Sequence, residues 1–482
     1  MRIAVVHYHL RRGGVTRVIE SAGQALAGSG HEFLVLSGEE PHDESFSLPV
    51  TVVAGLSYRR NGNTTIAASL VEALRGAARR HFGGPPDLWH FHNHSLAKNV
   101  LMPSVVRELA EAGEKVLLQM HDFPEDGRPT NYATQRSFFD SERSFRETLY
   151  PEARQVHYAA INNRDRDFLA AAGVRSGNLH SLPNAVSAVS ARGEPGERPF
   201  AGDRQFVLYP TRAIRRKNLG ELMLLAWLFR DTHAFATTLS PDNPEWLAIH
   251  ERWRSYGEER ELPVTLAAGE QWGHSFEDLV AWSDAIVTTS IAEGFGLAFL
   301  EPWLAGKSVN GRDLPEITRD FADCGIGLDH LYGRLGIPAA WLDTVELRAE
   351  IDAALRQSYL AYDRRLPAGA VDRTWSSWVA GGRVDFGVLS ERWQERILEK
   401  LRLDPGYADE IEIPSLAPLP SGEIAQRAKA VEDTYSLSSY GEKLAGVYET
   451  IAASSAGRVR HVDPEKLLDQ FLAPERLNLL RA

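Results

Sequence analysis

The feature that most constrains this chain is an alternation, met twice, of short apolar runs with segments whose apolar residues recur at helical spacing. Ile3 to His7 is a continuous run of the kind a strand buried on both faces requires. From Val15 the spacing changes to Val15, Val18, Ile19, Ala22 and Leu26, one face of a helix. His31 to Ser37, Asp87 to His92 and Lys115 to His121 repeat the strand pattern. Val156 to Ile161 leads into a helix from Arg164, and Asn178 to Leu182 reads as a further strand. Strands that alternate with helices imply a parallel sheet covered on both faces.

Between about Ser187 and Asp203 the residues turn to Ser, Gly, Pro, Glu and Arg without apolar period, which reads as a linker. The alternation then restarts. Gln205 to Pro210, Pro263 to Ala267 and Ala285 to Thr289 read as strands, Leu219 to Phe229 and Phe276 to Trp282 as helices, and a further helix is expected to open near Gly294. At 482 residues the chain is too long for one ordinary core. The expectation is an α/β protein with two doubly wound domains, residues 1–187 and 204–331, joined by a linker at 188–203 and facing each other across a cleft. Residues 332–424 read as an inserted, mainly helical region, with helices at Val345 to Tyr362 and Trp393 to Leu403 and a Pro-rich loop at Ile413 to Pro420. Residues 425–482 read as C-terminal helices, Ala425 to Ile451 being one long helix or a pair.

Composition excludes several function classes. A net charge of −12 argues against bulk binding to a nucleic-acid backbone. The one cysteine, Cys324, can make neither an internal disulfide nor a thiolate cluster, so a reducing compartment, the cytoplasm, is expected. The apolar run after Met1-Arg2 is too short for a signal-peptide core, and no stretch reaches the ~18 apolar residues that span a bilayer. Peripheral membrane contact and homo-oligomerisation stay open.

In an open parallel sheet, ligands bind beyond the carboxyl ends of the strands. After the first strand comes His9-Leu10-Arg11-Arg12-Gly13-Gly14, a glycine pair that opens a helix and lets a ligand reach its N–H groups. It lacks the spaced triple glycine of dinucleotide-binding folds. Thr211 to Asn218 places Arg212 and Lys217 between a strand and a helix, where cations suit a diphosphate leaving group. Glu293-Gly294-Phe295-Gly296-Leu297-Ala298-Phe299-Leu300-Glu301 sets two carboxylates eight residues apart around glycines that helix propensity does not ask for. A helix from Gly294 would aim its first N–H groups at a phosphate or sugar hydroxyl and carry Glu301 about two turns on. Two carboxylates on one helix do not face each other across a substrate, which excludes glycosidase chemistry. Asp165-Arg166-Asp167 has the spacing of a metal-binding triplet but reads better as the acidic first turn of a helix. His90, His92 and His94 could share a face toward zinc; strand-end residues lining a cleft are the preferred reading.

These motifs resemble the retaining GT-B glycosyltransferases of family 4. Arg212 with Lys217 and the Glu293–Glu301 stretch look like their donor site. The likeness extends to Gly13-Gly14, His121-Asp122, Leu182-Pro183-Asn184-Ala185 and Leu314-Pro315-Glu316-Ile317, in the expected order over about residues 1 to 330. The resemblance implies a GT-B fold and a hexosyltransferase that needs no cofactor and no metal. Its substrates would be a nucleotide-diphosphate sugar, UDP-glucose or GDP-mannose, and a hydroxyl acceptor. It implies that Arg212, Lys217, Gly13 and Gly14 meet the diphosphate, and that Glu293 holds the transferred sugar beside the N–H groups of Phe295, Gly296 and Leu297. Glu301 would bind the ribose, and His121 would lie near the anomeric carbon. By analogy with related folds the final helices cross back onto the first domain. Pro302-Trp303 and Lys307 to Asn310 depart from the family pattern after Glu301. Arg11, Arg12, Arg59, Arg60, Lys98 and Arg128 fall in loops of the first domain, where a small acidic acceptor would be met. A nucleotide-sugar epimerase of the same architecture and a non-catalytic sugar-nucleotide binder are the alternatives.

Overall fold

The computed structural model describes residues 1–43, 45–58, 66–188, 198 and 203–481. Most of the expected linker, with Arg59 and Arg60, lies outside the described residues. The chain divides into two units. The first holds residues 1–185, 358–364 and 435–473, and the second 186–357, 365–434 and 474–482.

In the first unit the strands are β1 (Arg2–Val6), β2 (Glu32–Ser37), β3 (Val50–Val52), β4 (Leu88–His92), β5 (Val116–Met120), the short β6 (Pro151–Glu152), β7 (Val156–Ala160) and β8 (Leu179–Ser181). Seven of them form one parallel sheet in the order β3-β2-β1-β4-β5-β7-β8. The pairing of Ile3 with both Phe33 and Leu88 puts β1 in the interior of the sheet, between β2 and β4. Continuous apolar runs form these strands because helices cover both faces, so neither face needs polar residues. The helix Gly14–Ala25 buries Val18, Ile19 and Ala22, the stripe its spacing announced. It packs on the helix Leu437–Ala453, whose Tyr440, Leu444, Tyr448 and Ile451 join the core beneath β1. Gly441 makes that approach close, since a Cβ there would meet the Ala25 carbonyl at 2.9 Å.

The second unit repeats the plan with β9 (Gln205–Arg212), β10 (His233–Leu239), β11 (Val264–Thr265), β12 (Ala285–Thr288) and β13 (Val309–Gly311), all parallel in the order β11-β10-β9-β12-β13. Strand β10 escapes a reading by apolar pattern because Ala236, Thr237 and Thr238 are small or polar, although all three are buried. Residues 332–424 are less purely helical than expected. They contain β14 (Gly336–Pro338), β15 (Val379–Ala380) and β16 (Arg383–Asp385), an antiparallel sheet in the order β14-β16-β15. This sheet is tied to the second unit by a buried ion cluster. Arg312, just after β13, bonds Asp385 through both terminal nitrogens at 2.8 Å and Glu221 of the helix Leu219–Leu228 at 2.6 Å. Tyr332 also donates to Glu221 at 2.8 Å. The segment Ala425 to Ile451 is a helix pair, Ser421–Tyr435 and Leu437–Ala453, and β17 (Arg460–His461) pairs antiparallel with β6.

Both main sheets therefore reverse direction of winding at their first strand, between β1 and β4 in one and between β9 and β12 in the other. Such switch points leave a crevice at the carboxyl ends of the strands, where ligands bind.

Candidate active site

In the second unit the loops leaving β9 and β12 are laced together. The Thr289 hydroxyl donates to the carbonyls of Lys217 and Asn218 at 2.9 and 3.1 Å, and the Ile291 N–H to the carbonyl of Arg216 at 3.0 Å. Asn218 holds a left-handed turn at φ 52°, which asparagine tolerates well. Its side chain is fixed by Glu221 at 2.7 Å and Gln394 at 2.8 Å. This framework brings three charges together: Lys217 Nζ lies 2.5 Å from Glu293 Oε1, and Arg216 Nη1 lies 2.9 Å from Oε2. Burial opposes the charge on Glu293, but the two cations outweigh it and hold its carboxyl down at about 2. Burial pulls Lys217 below the usual lysine range, with Glu293 acting against that. At neutral pH the trio carries one net positive charge.

The trio opens on a cavity of about 350 Å³, within the range of small-ligand sites. Pro210, Val280, Ile286, Phe295, Gly296, Leu297, Glu301 and Pro302 complete its wall. Gly296 must be glycine on two counts, a φ of +93° and a Cβ position 2.8 Å from Ile317. Among the described residues the N–H groups of Gly296 and Leu297 have no hydrogen-bond partner.

Two expectations are corrected here. No helix opens at Gly294: a 3-10 turn spans Leu297–Phe299, and an α-helix of four residues, Glu301–Leu304, follows. Pro302 explains it, since proline is tolerated only in a helix's first turn, so the helix cannot begin far upstream. Glu301 thus stands at a helix start rather than two turns into one. The ground against glycosidase chemistry changes with it. The ion pairs with Lys217 and Arg216 hold Glu293 as a carboxylate and occupy both of its oxygens with cations rather than with a sugar ring.

Arg212 lies apart from the cavity lining, half exposed and paired with Asp242. Arg216, which sequence reasoning passed over, takes the place beside Lys217. Three successive residues of a 3-10 turn, Arg215–Lys217, point about 120° apart. Arg215 is thereby sent to Glu391 at 2.7 Å while its two neighbours reach Glu293. The tryptophans Trp282 and Trp303 are core, and Trp303 donates to the Phe299 carbonyl at 2.8 Å.

In the first unit Gly13 precedes the helix Gly14–Ala25 with extended backbone, and a Cβ on Gly14 would meet nothing within 4 Å. Neither packing nor conformation demands this glycine pair. His121, directly after β5, is buried, and its N–H donates to Asn93 Oδ1 at 2.8 Å. Its Nε2 lies 2.9 Å from Nδ1 of His92, the last residue of β4, with the two rings stacked at 5.2 Å. His90 stacks behind His92 at 4.4 Å and bonds Tyr448 and Gln119 at 2.9 and 3.0 Å. Burial pulls His121 and His94 down to about 4, and His7 and His90 to about 3. His92 is pulled well down too, by burial first and its neighbouring imidazoles second. Burial keeps these rings neutral at pH 7, and no group of three or more metal-ligating side chains occurs among the described residues. Asp165 sits in the first turn of the helix Asn163–Ala172, bonded to Asn162 and Arg164, while Asp167 pairs with Arg166. Of the loop cations, Arg11 pairs with Glu39, Arg12 with Asp43 and Arg128 with Asp122, and Lys98 lies over the Tyr58 ring at 5.1 Å. No helix among the described residues is long and apolar enough to cross a membrane.

Residues 12–189 match the model of glycosyltransferase family 4. Over 341 residues the chain is 25% identical to mannosylglucosyl-3-phosphoglycerate synthase of Petrotoga mobilis, a match that spans 66% of this chain and 66% of that enzyme's length. In fold it is similar to sucrose-phosphate synthase of Thermosynechococcus elongatus, at a TM-score of 0.53 and 14% identity over 94% of this chain and 99% of that one. It is likewise similar to Anabaena HepE in complex with UDP, at 0.51 and 12% identity over 93% and 100% of the chains. The chain thus has two doubly wound sheets of GT-B type, and its residues 12–189 resemble the glycosyltransferases of family 4.

Proposed function

We propose that this protein transfers a hexosyl group, with retention of configuration and without a metal, from a nucleotide-diphosphate sugar to the hydroxyl of a small acidic acceptor. The observation that carries the reading is the Lys217–Glu293–Arg216 trio, which opens on a cavity beside the unpartnered N–H groups of Gly296 and Leu297. Lys217 and Arg216 neutralise the departing diphosphate; Arg212 would have to leave Asp242 to join them. The Glu293 carboxylate, held by two cations and bonded by Ser290, keeps acceptor capacity for a sugar hydroxyl. Phe295, Gly296 and Leu297 offer backbone N–H groups, and Glu301 takes the ribose diol. In the first unit Gly13 and Gly14 leave a helix start open to phosphate, and His121 offers a ring nitrogen to the sugar.

Catalysis on this reading is positioning plus stabilisation of the leaving group. The bond from the acceptor oxygen to the anomeric carbon forms on the face from which the diphosphate oxygen leaves. The acceptor's proton passes to that phosphate oxygen, so no protein base is required. UDP-glucose and GDP-mannose are the donors to try first. The acceptor class is supported by the curated relative, whose name carries a phosphoglycerate, whereas Arg11, Arg12 and Arg128 are each paired with a carboxylate.

A thermal-shift panel of UDP, GDP, ADP and their glucose and mannose derivatives, with and without EDTA, tests the reading. Ligands that bind the native state raise the melting temperature by mass action. The expected result is a metal-independent shift with one nucleotide class, lost in Lys217→Ala. No shift with any nucleotide sugar in folded protein would sink it.

A further inference from the structure

The stacked pair His92–His121 carries an inference that rests on the proposed role of His121 near the sugar. With Nδ1 of His92 2.9 Å from Nε2 of His121, one of these nitrogens must donate and the other accept. The remaining nitrogens decide which. His92 Nε2 is enclosed and without a partner, whereas His121 Nδ1 is neither enclosed nor hydrogen-bonded among the described residues. If His121 donated, His92 would carry its proton on Nε2 and bury an N–H with no acceptor. If His92 donates, Nε2 is a bare lone pair. Orphaned buried N–H groups are rarer in proteins than under-satisfied acceptors.

We propose that His92 is a positioning residue whose Nδ1–H holds His121 as the Nδ1-protonated tautomer. His121 then presents an N–H donor, rather than a base, to an oxygen of the bound sugar. This polarity agrees with a transfer in which the leaving phosphate takes the acceptor's proton.

The first unit contains a second imidazole pair of opposite polarity. His157 Nδ1 lies 2.9 Å from His180 Nε2, with rings stacked at 5.2 Å. Here His157 Nε2 faces the Arg154 carbonyl at 3.1 Å, an acceptor that fixes the proton on Nε2. His157 Nδ1 must therefore accept from His180. One pair is oriented by a carbonyl and the other by the lack of one.

The test is a long-range ¹⁵N–¹H correlation spectrum of the full chain with ¹⁵N-histidine at pH 7.5, with assignments from His121→Gln and His180→Gln. The expected pattern is a protonated Nδ1 on His121 and a protonated Nε2 on His180. A protonated Nε2 on His121 would overturn the proposal, and the spectrum needs no substrate, so it stands apart from the functional reading. On a donor that the thermal panel identifies, His92→Leu should lower kcat by roughly tenfold, the worth of one hydrogen bond, with little change in donor KM. His92→Asn, whose amide can donate from the place of Nδ1, should restore most of it. Equal losses in the two variants would also overturn the proposal.

Discussion

The two units have the same strand plan and opposite electrostatics at their switch points. At the carboxyl ends of β1, β4 and β5 stand buried neutral imidazoles, His90 and His92 within β4 and His7 and His121 just after β1 and β5. Beyond β9 and β12 stand the ions Arg216, Lys217 and Glu293, braced by the buried cluster of Arg312, Glu221 and Asp385. The same kind of switch point thus carries neutral hydrogen-bonding groups in the first unit and a cluster of ions in the second. Topology supplies the place of a site, and the residues at the strand ends decide its chemistry.

Acid should separate the units most strongly. A histidine whose folded value lies below 6.5 contributes stability that is whole above 6.5 and is lost as pH falls through the folded value. For His7, His90, His94 and His121 that window runs from 6.5 down to about 3 or 4. Each should cost about 1–2 kcal/mol between pH 7.5 and 5, several kcal/mol together. Glu125 partly offsets this, because burial pushes its carboxyl up to about 8 and its protonation stabilises the same unit as pH falls. Glu293, depressed to about 2, keeps its contribution until pH falls below about 4.5. His233, His250 and His330 in the second unit are lowered as well, but less. Pulsed hydrogen exchange after incubation at pH 5 should show the first unit opening before the second; simultaneous opening would erase the contrast.

Next in size is Arg312→Met, which strands Glu221 and Asp385 as buried charges and should cost about 3–5 kcal/mol in denaturant titration. A loss below about 1 kcal/mol would mean that the cluster is not the brace described. Lys217→Ala should lower donor turnover by on the order of 10²–10³-fold with the fold intact by circular dichroism, the loss typical of removing one stabiliser of developing charge. Near wild-type turnover would take the second unit's ions out of the chemistry. The smallest effect is expected from Gly14→Ala. The helix has room for a Cβ there, so the ligand-free protein should gain about 0.4–1 kcal/mol, while the thermal shift with donor shrinks. An unchanged ligand shift would leave the glycine pair without a reason.

The fold was largely legible because apolar runs and helical spacing are local signals. Strands β1, β4, β5, β7, β9 and β12 fall where the runs placed them, within a residue or two. β10 was not legible, since Ala and Thr fill it and only the covering helices bury them. Of the site, Lys217, Glu293, Gly296, Leu297 and Glu301 could be marked from motif and spacing, and they do line one cavity. Pro302 carried the signal that the helix starts late, and it outranks the glycines upstream. Nothing local marks Arg216 above Arg212.

By itself the sequence determined the parallel sheets and the strand-end loops in which glycine and charge gather, because strand period, glycine placement and charge are written residue by residue. Only the tertiary structure decided which of Arg212, Arg215 and Arg216 meets Glu293, that the C-terminal helix closes the first unit's core, and that His92 backs His121. Those outcomes depend on where side chains point once distant segments pack, and 29 positions of chain separate the two imidazoles that touch.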